Sequence, residues 1–260
     1  MDPFYVLYIT ISYICKVKII YSFDTQLNGP YFQGKNLENN LLFYELSIRL
    51  AKQYYPVTLY TDEYGEEKLG HLVDEVKLLS KDDKFYLWSE PTFEAISREE
   101  GEFIHLDGDV FLNGPLNLPE GDVYYDCRED SLYEYYYKDN IEIFDKYGIG
   151  EVFPEWSTEY TGAFNVGLLG FGDDNIKKQF VDRFYKMKEW YYNDFPSDIK
   201  IHLATMTFEE HGLSCFCNKN NYNAVPLSQH NGYLHMFSSR KHIPMFVEFV
   251  RNYLETNFKG

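Results

Sequence analysis

Apolar and polar residues alternate in short blocks from residue 18 onward, and the period of the alternation changes from block to block. Lys18 to Phe23 (KIIYSF) reads as a strand. Asn36 to Tyr54 carries Leu41, Leu42, Leu46 and Leu50 at helical spacing, and Val57 to Tyr60 (VTLY) then predicts the next strand. Phe93 to Glu100 predicts a helix, Glu102 to Phe111 (EFIHLDGDVF) a strand that ends in a turn, and Asp122 to Tyr125 a further short strand. Strand and helix alternating at this pitch argue for an α/β layer structure with a mainly parallel central sheet flanked by helices. No repeat or low-complexity linker interrupts the pattern. One domain over residues 16–260 is the economical reading, with the Tyr-rich stretch from Ser131 to Tyr147 as an insertion or cap.

Residues 1–15 stand apart, because Phe4 to Cys15 (FYVLYITISYIC) is an apolar run of 12. It falls short of the roughly 20 residues a membrane span needs, Asp2 stands where a signal peptide carries a basic residue, and no small-residue cleavage site follows. Its β-branched and aromatic content favours a strand or an extension packed on the body, with membrane contact as the alternative.

Composition narrows the function. Of 260 residues 45% are apolar and 19% aromatic, ample for a packed core, and 24 Lys and Arg against 41 Asp and Glu leave a net charge of −17. Such a surface repels nucleic acid and anionic membranes, so neither is an expected partner. Any phosphorylated ligand would need its charge neutralised locally, for which a divalent metal held by carboxylates is the natural device. Four cysteines (Cys15, Cys127, Cys215, Cys217) form no disulfide framework, and no Asn-x-Ser/Thr sequon occurs. A reducing, cytoplasmic setting is expected, with peripheral membrane attachment left open.

The segment Phe103 to Leu112 is the most informative. Alternation along a strand would put Asp107 and Asp109 on one face at its carboxyl end, with Gly108 leaving the backbone open between them. Two like charges so placed cost stability unless a cation lies between them, although Asp-Gly-Asp is also ordinary turn chemistry. Ligands of open α/β sheets bind beyond the carboxyl ends of the strands, where this pair is expected.

With Val110-Phe111-Leu112 and Asn113-Gly114-Pro115-Leu116 behind it, the pair resembles the Asp-x-Asp strand end of GT-A-fold glycosyltransferases. Three further stretches follow in the order seen in family-8-type members of that group. Phe164-Asn165-Val166-Gly167 is similar to their Phe-Asn-x-Gly strand entry. Asn193 to Asp198, leading into a helical stretch with Leu203 and Met206, is similar to the Asp that begins a helix near the reacting centre. His235 and Lys241 keep the spacing of the His-x-x-Gly-x-x-Lys motif, with Ser238 in place of its Gly and His242-Ile243 in place of the following Pro-Trp. The likeness runs over residues 16–243 on about ten positions.

The resemblance implies a metal-dependent transferase that moves a sugar from a nucleotide sugar, a UDP-sugar, to an acceptor hydroxyl with retention. Asp107, Asp109 and His235 would ligate the metal, for which two carboxylates and an imidazole suit Mn2+ best and Mg2+ next. Asp107, Asn165 and Lys241 would contact the donor, Ser22, Asp24 and Thr25 after the first strand would form part of the nucleotide pocket, and Asp198 and Lys241 would act in catalysis. The acceptor, whether carbohydrate, lipid-linked or protein, is left open.

Each residue also has a plain structural role. Asp198 suits a helix N-cap, Asn165 a turn, His235 a partly buried histidine and Lys241 a solvated charge beside Arg240. Glu209, Glu210 and His211 form a charged cluster without metal spacing, and Cys215 and Cys217 read as small buried residues. Two other functions stay open: a non-catalytic module binding nucleotide sugar or glycan, and a haloacid-dehalogenase-type phosphatase built on Asp107-Gly108-Asp109 with Gly172-Asp173-Asp174.

Overall fold

The computed structural model describes residues 17–25, 37–80, 87–130, 137–160, 162–194, 201–236 and 243–258. The apolar run of residues 4–15 and residues 131–136 of the Tyr-rich stretch lie outside the described residues. The fold is α/β, with strand pairing that is mainly parallel, as the sequence pattern predicts. Two compact units divide the chain: residues 1–81, 101–117 and 231–260 form the first, and residues 82–100 and 118–230 the second. Among the described residues no helix is long and apolar enough to cross a membrane.

In the first unit β1 (Lys18–Phe23) lies between β2 (Val57–Thr61) and β4 (Phe103–Leu106), and β3 (Glu75–Leu78) extends the row beyond β2, all parallel. The three inner strands are buried almost without interruption, which is why they read as continuous apolar runs rather than alternating ones. Helix α1 (Leu37–Ala51) matches the predicted helix, but its most buried face is Phe43, Leu46, Ser47 and Ile48 rather than the expected Leu41, Leu42 and Leu50. The shift has a physical cause. The C-terminal helix, written α8 below (Pro244–Asn257), packs Val247, Val250 and Leu254 on Phe43 and Leu46, so α1 is covered on two sides. Helix α2 (Glu63–Leu69) is capped by Asp62, whose carboxylate accepts from the Gly65 amide at 2.8 Å.

The predicted strand from Glu102 to Phe111 is broken. β4 ends at Leu106, the Val110 amide donates to the Asp107 carbonyl at 3.1 Å to close a turn, and β5 (Val110–Leu112) leaves the sheet to pair antiparallel with β9 (Tyr233–His235). Gly108 makes the turn possible, since a Cβ there would lie 2.3 Å from the Tyr44 ring.

In the second unit β6 (Val123–Tyr125) pairs antiparallel with β7 (Leu168–Phe171) and parallel with β8 (Ala224–Pro226). Helix α3 (Glu90–Arg98) begins three residues earlier than predicted because Pro91 fits its first turn. It stacks Phe93 on Phe184 of α5 (Asp174–Asp194), ring centroids 3.7 Å apart. The end of the Tyr-rich stretch is helical and packed. Helix α4 (Lys138–Lys146) buries Phe144 against Trp156, Trp190 and Phe208. Helices α6 (Ile201–Met206) and α7 (Gly212–Asn220) are joined by a π-helical turn, Thr207–His211.

Candidate functional site

The Asp107–Val110 turn and the β5–β9 ribbon bring three side chains of the first unit together. In the antiparallel register Val110 faces His235, and one step further the Met236 amide donates to the Asp109 carbonyl at 3.0 Å. His235 therefore flanks Asp109, with Nε2 3.5 Å from Oδ1, and both side chains keep only 7% of their surface exposed. One ligand atom each from Asp107, Asp109 and His235 lies within 4.8 Å of the others. The pair converges because of a turn, not because of strand alternation. Two carboxylates drawn together near the imidazole form a donor set that could hold a divalent cation, which would offset their mutual repulsion.

Tyr44 of α1 ties this turn to the end of β1. Its ring lies against Gly108, and its hydroxyl donates to the Ser22 carbonyl at 2.7 Å. Burial, and after it the negative charges of Asp107 and Asp109, holds the Tyr44 phenol well above its ordinary pKa, so it stays a neutral donor. Ser22 is buried, with Oγ 2.9 Å from Nε2 of His105 on the neighbouring strand. Burial lowers the His105 pKa to about 3. Thr25 follows, its amide donating to Asp62 at 2.9 Å and its hydroxyl to the same carboxylate oxygen, while Asp24 is half-buried between them in the chain.

Asn165 belongs to the second unit, where its side chain is buried and doubly engaged. Nδ2 donates to Glu129 at 2.7 Å and Oδ1 accepts from the Gly167 amide at 3.0 Å. The Tyr137 hydroxyl donates to Glu129 at 2.8 Å and also contacts a carboxylate oxygen of Glu210, so one phenol bridges two buried acids. Glu210 projects from the π-helical turn, a local irregularity that re-aims side chains. His211 from the same turn is buried, with Nε2 3.0 Å from the Ser157 carbonyl and 3.2 Å from the Cys215 thiol. Burial lowers its pKa to about 4 and pushes the Cys215 thiol up to about 12, and the cysteine is the small buried residue its sequence context suggests.

Asp198 and Lys241 lie outside the described residues. Of the second aspartate pair, Asp173 caps α5 by accepting from the Asn175 and Ile176 amides, and Asp174 pairs with Lys177 and Lys178. Those contacts engage both carboxylates at the start of α5. Sequence reasoning missed Tyr44, His105, Asp62 and Glu129. Asp62 alone carried a local signal, an Asp directly before a helical stretch.

Fold and site together define an α/β protein with an Asp–Asp–His cluster beside the carboxyl end of a buried parallel strand. Over residues 18–250 the sequence matches the group described as "Family of unknown function (DUF6734)", and the chain belongs to that family. No curated protein matches it in sequence. Among solved structures it is similar to the 4-diphosphocytidyl-2C-methyl-D-erythritolsynthase of Anaerococcus prevotii, at TM-score 0.38 and 11% identity over 95% of this chain and 99% of that one. It is also similar to mouse xyloside xylosyltransferase 1 in its apo form, at TM-score 0.34 and 10% identity over 82% of this chain and 78% of that one.

Proposed function

We propose that the chain is a metal-dependent glycosyltransferase that moves a sugar from a UDP-sugar to an acceptor hydroxyl with retention. The observation that carries this reading is the convergence of Asp107, Asp109 and His235 within 4.8 Å of one another. The GT-A-like motif order in the sequence supports it. A donor set of two carboxylates and one imidazole fits Mn2+, with Mg2+ as a substitute. When bound, the cation would neutralise the donor diphosphate and supply Lewis acidity at the leaving oxygen.

The chain's own residues would do the rest. Ser22, Asp24 and Thr25 would border the nucleotide, Asn165 would contact the donor sugar, and Asp198 would stand near the reacting carbon. Lys241 would place its ammonium against the diphosphate as charge gathers there. In the transfer the bond from the anomeric carbon to the diphosphate oxygen breaks, and its electron pair leaves with the diphosphate. The acceptor oxygen bonds to that carbon and gives up its proton to the leaving diphosphate. The acceptor would be a carbohydrate, a lipid-linked glycan or a protein.

Hydrolysis of UDP-sugars by the purified protein with Mn2+ tests the reading. Turnover should vanish in EDTA and in Asp107→Ala and Asp109→Ala. Turnover that survives either treatment overturns the proposal, and tight donor binding without turnover across a donor panel would make the chain a binding module instead.

A further inference from the structure

We propose that Asn40 is a further ligand-binding residue of the first unit: its side-chain amide donates a hydrogen bond to an oxygen of a phosphate-type anion held beside Asp107, Asp109 and His235. Helix α1 joins the parallel strands β1 and β2, so it starts at their carboxyl edge and runs back along the sheet. One face of the helix follows the acidic turn. The Ser47 hydroxyl donates to the Val110 carbonyl, and the Tyr44 ring lies against Gly108. Asn40 continues that face one helical turn closer to the carboxyl edge, about 6 Å along the axis from Tyr44. Open α/β sheets bind their ligands at that edge, and all these residues belong to the one unit.

The amide is buried without a use inside the fold. Asn40 keeps only 4% of its surface exposed, and among the described residues Nδ2 has no hydrogen-bond partner. Asn165, buried in the second unit, shows the contrast, since its Nδ2 donates to Glu129 and its Oδ1 accepts from the Gly167 amide. A buried donor left unmatched costs the fold the desolvation of that group without return. Asparagine is also a poor helix former, whereas leucine has nearly the same shape and neither defect. Packing and helix formation therefore give no reason for an amide at this position. A ligand does. An N–H meets only an acceptor, and the oxygens of a phosphate-type anion are strong acceptors. Asp107 and Asp109 repel such an anion unless a cation lies between, but a neutral amide meets it directly. The proposal rests on the reading of Asp107, Asp109 and His235 as a cation site for a phosphorylated ligand.

Calorimetric titration of the Mn2+-loaded protein with pyrophosphate and with UDP reads the contact, and titration with Mn2+ alone and urea unfolding separate it from a structural role. Asn40→Leu should weaken both anions by about tenfold or more, leave the affinity for Mn2+ alone unchanged and raise the urea midpoint, because the unmatched donor is gone. Asn40→Asp puts an acceptor where a donor stood and should lose more than Asn40→Leu. Undiminished anion affinity in Asn40→Leu sinks the contact, as does an Asn40→Asp protein that binds like the parent. A lower midpoint together with weaker Mn2+ binding makes the amide a structural group and overturns the proposal. A loss confined to UDP overturns the assignment to a phosphate-type oxygen. A parent that binds pyrophosphate but not UDP defeats the nucleotide reading and leaves the Asn40 contact to be decided by the pyrophosphate losses, whereas a parent that binds neither anion defeats the contact itself.

Discussion

The two units handle pairs of buried or half-buried acids in opposite ways. In the second unit Glu129 and Glu210 are met by neutral donors, the Tyr137 hydroxyl and the Asn165 amide, so the acids belong to a hydrogen-bonded network. In the first unit Asp107 and Asp109 converge with an imidazole, a group that also ligates metals. An acidic pair is therefore not a metal site by virtue of its charges. The chemistry of the groups facing it separates a hydrogen-bonded network from a candidate cation site.

The largest effect that could break this contrast is on metal binding. On the proposed reading Asp109→Ala should weaken Mn2+ by about 100-fold or more, since it removes one of three candidate ligands, whereas Glu129→Gln should leave Mn2+ affinity unchanged. Isothermal titration of both variants checks this, and equal losses would erase the distinction between the units.

His211 supplies a pH test confined to the second unit. Its folded pKa, about 4, lies below the unfolded value near 6.5, so its contribution is fully present above about pH 6.5 and is lost as pH falls toward 4. Across that window the contribution amounts to about 3 kcal/mol. Urea midpoints at pH 7 and pH 4.5 should fall farther apart in the parent than in His211→Gln. Parallel pH curves for the two proteins would remove the buried neutral histidine from the account.

Gly108→Ala probes how tightly the Asp107–Val110 turn is built. A methyl group 2.3 Å from the Tyr44 ring forces a shift costing about 2 kcal/mol, and Mn2+ affinity should fall with it because the turn carries both carboxylates. Adding Tyr44→Ala should restore part of that affinity; no recovery would mean the ring does not shape the turn. The smallest effect is expected from Tyr137→Phe, which deletes the bridging donor and should cost about 1 to 2 kcal/mol in chemical denaturation without altering Mn2+ binding.

Much of the scaffold was legible because local rules govern it. Strands buried on both faces need unbroken apolar runs, and β1 and β2 have them. The Asp pair stood out because charges amid an apolar run contradict the local pattern. The detail at that pair was not legible: strand alternation suggested two carboxylates on one strand face, whereas the chain turns there. The turn depends on Tyr44, far away in sequence and one of 25 tyrosines with no local mark. Tyr137 and His105 were hidden for the same reason, since their roles come from partners in other elements.

Taken alone, the amino-acid sequence determined the α/β class, the burial of the central strands, the burial of Cys215 and Cys217, and the presence of an acidic pair in need of an explanation. The motif resemblance named His235 beside that pair, and the tertiary structure supplied the geometry that brings the three within 4.8 Å and decided that Glu129 and Glu210 meet a phenol. The physical reason is range. Propensity and periodicity act over a few residues, but pairing β5 with β9 closes a long loop whose entropic cost only the assembled core can offset, and that pairing sets which side chains face one another.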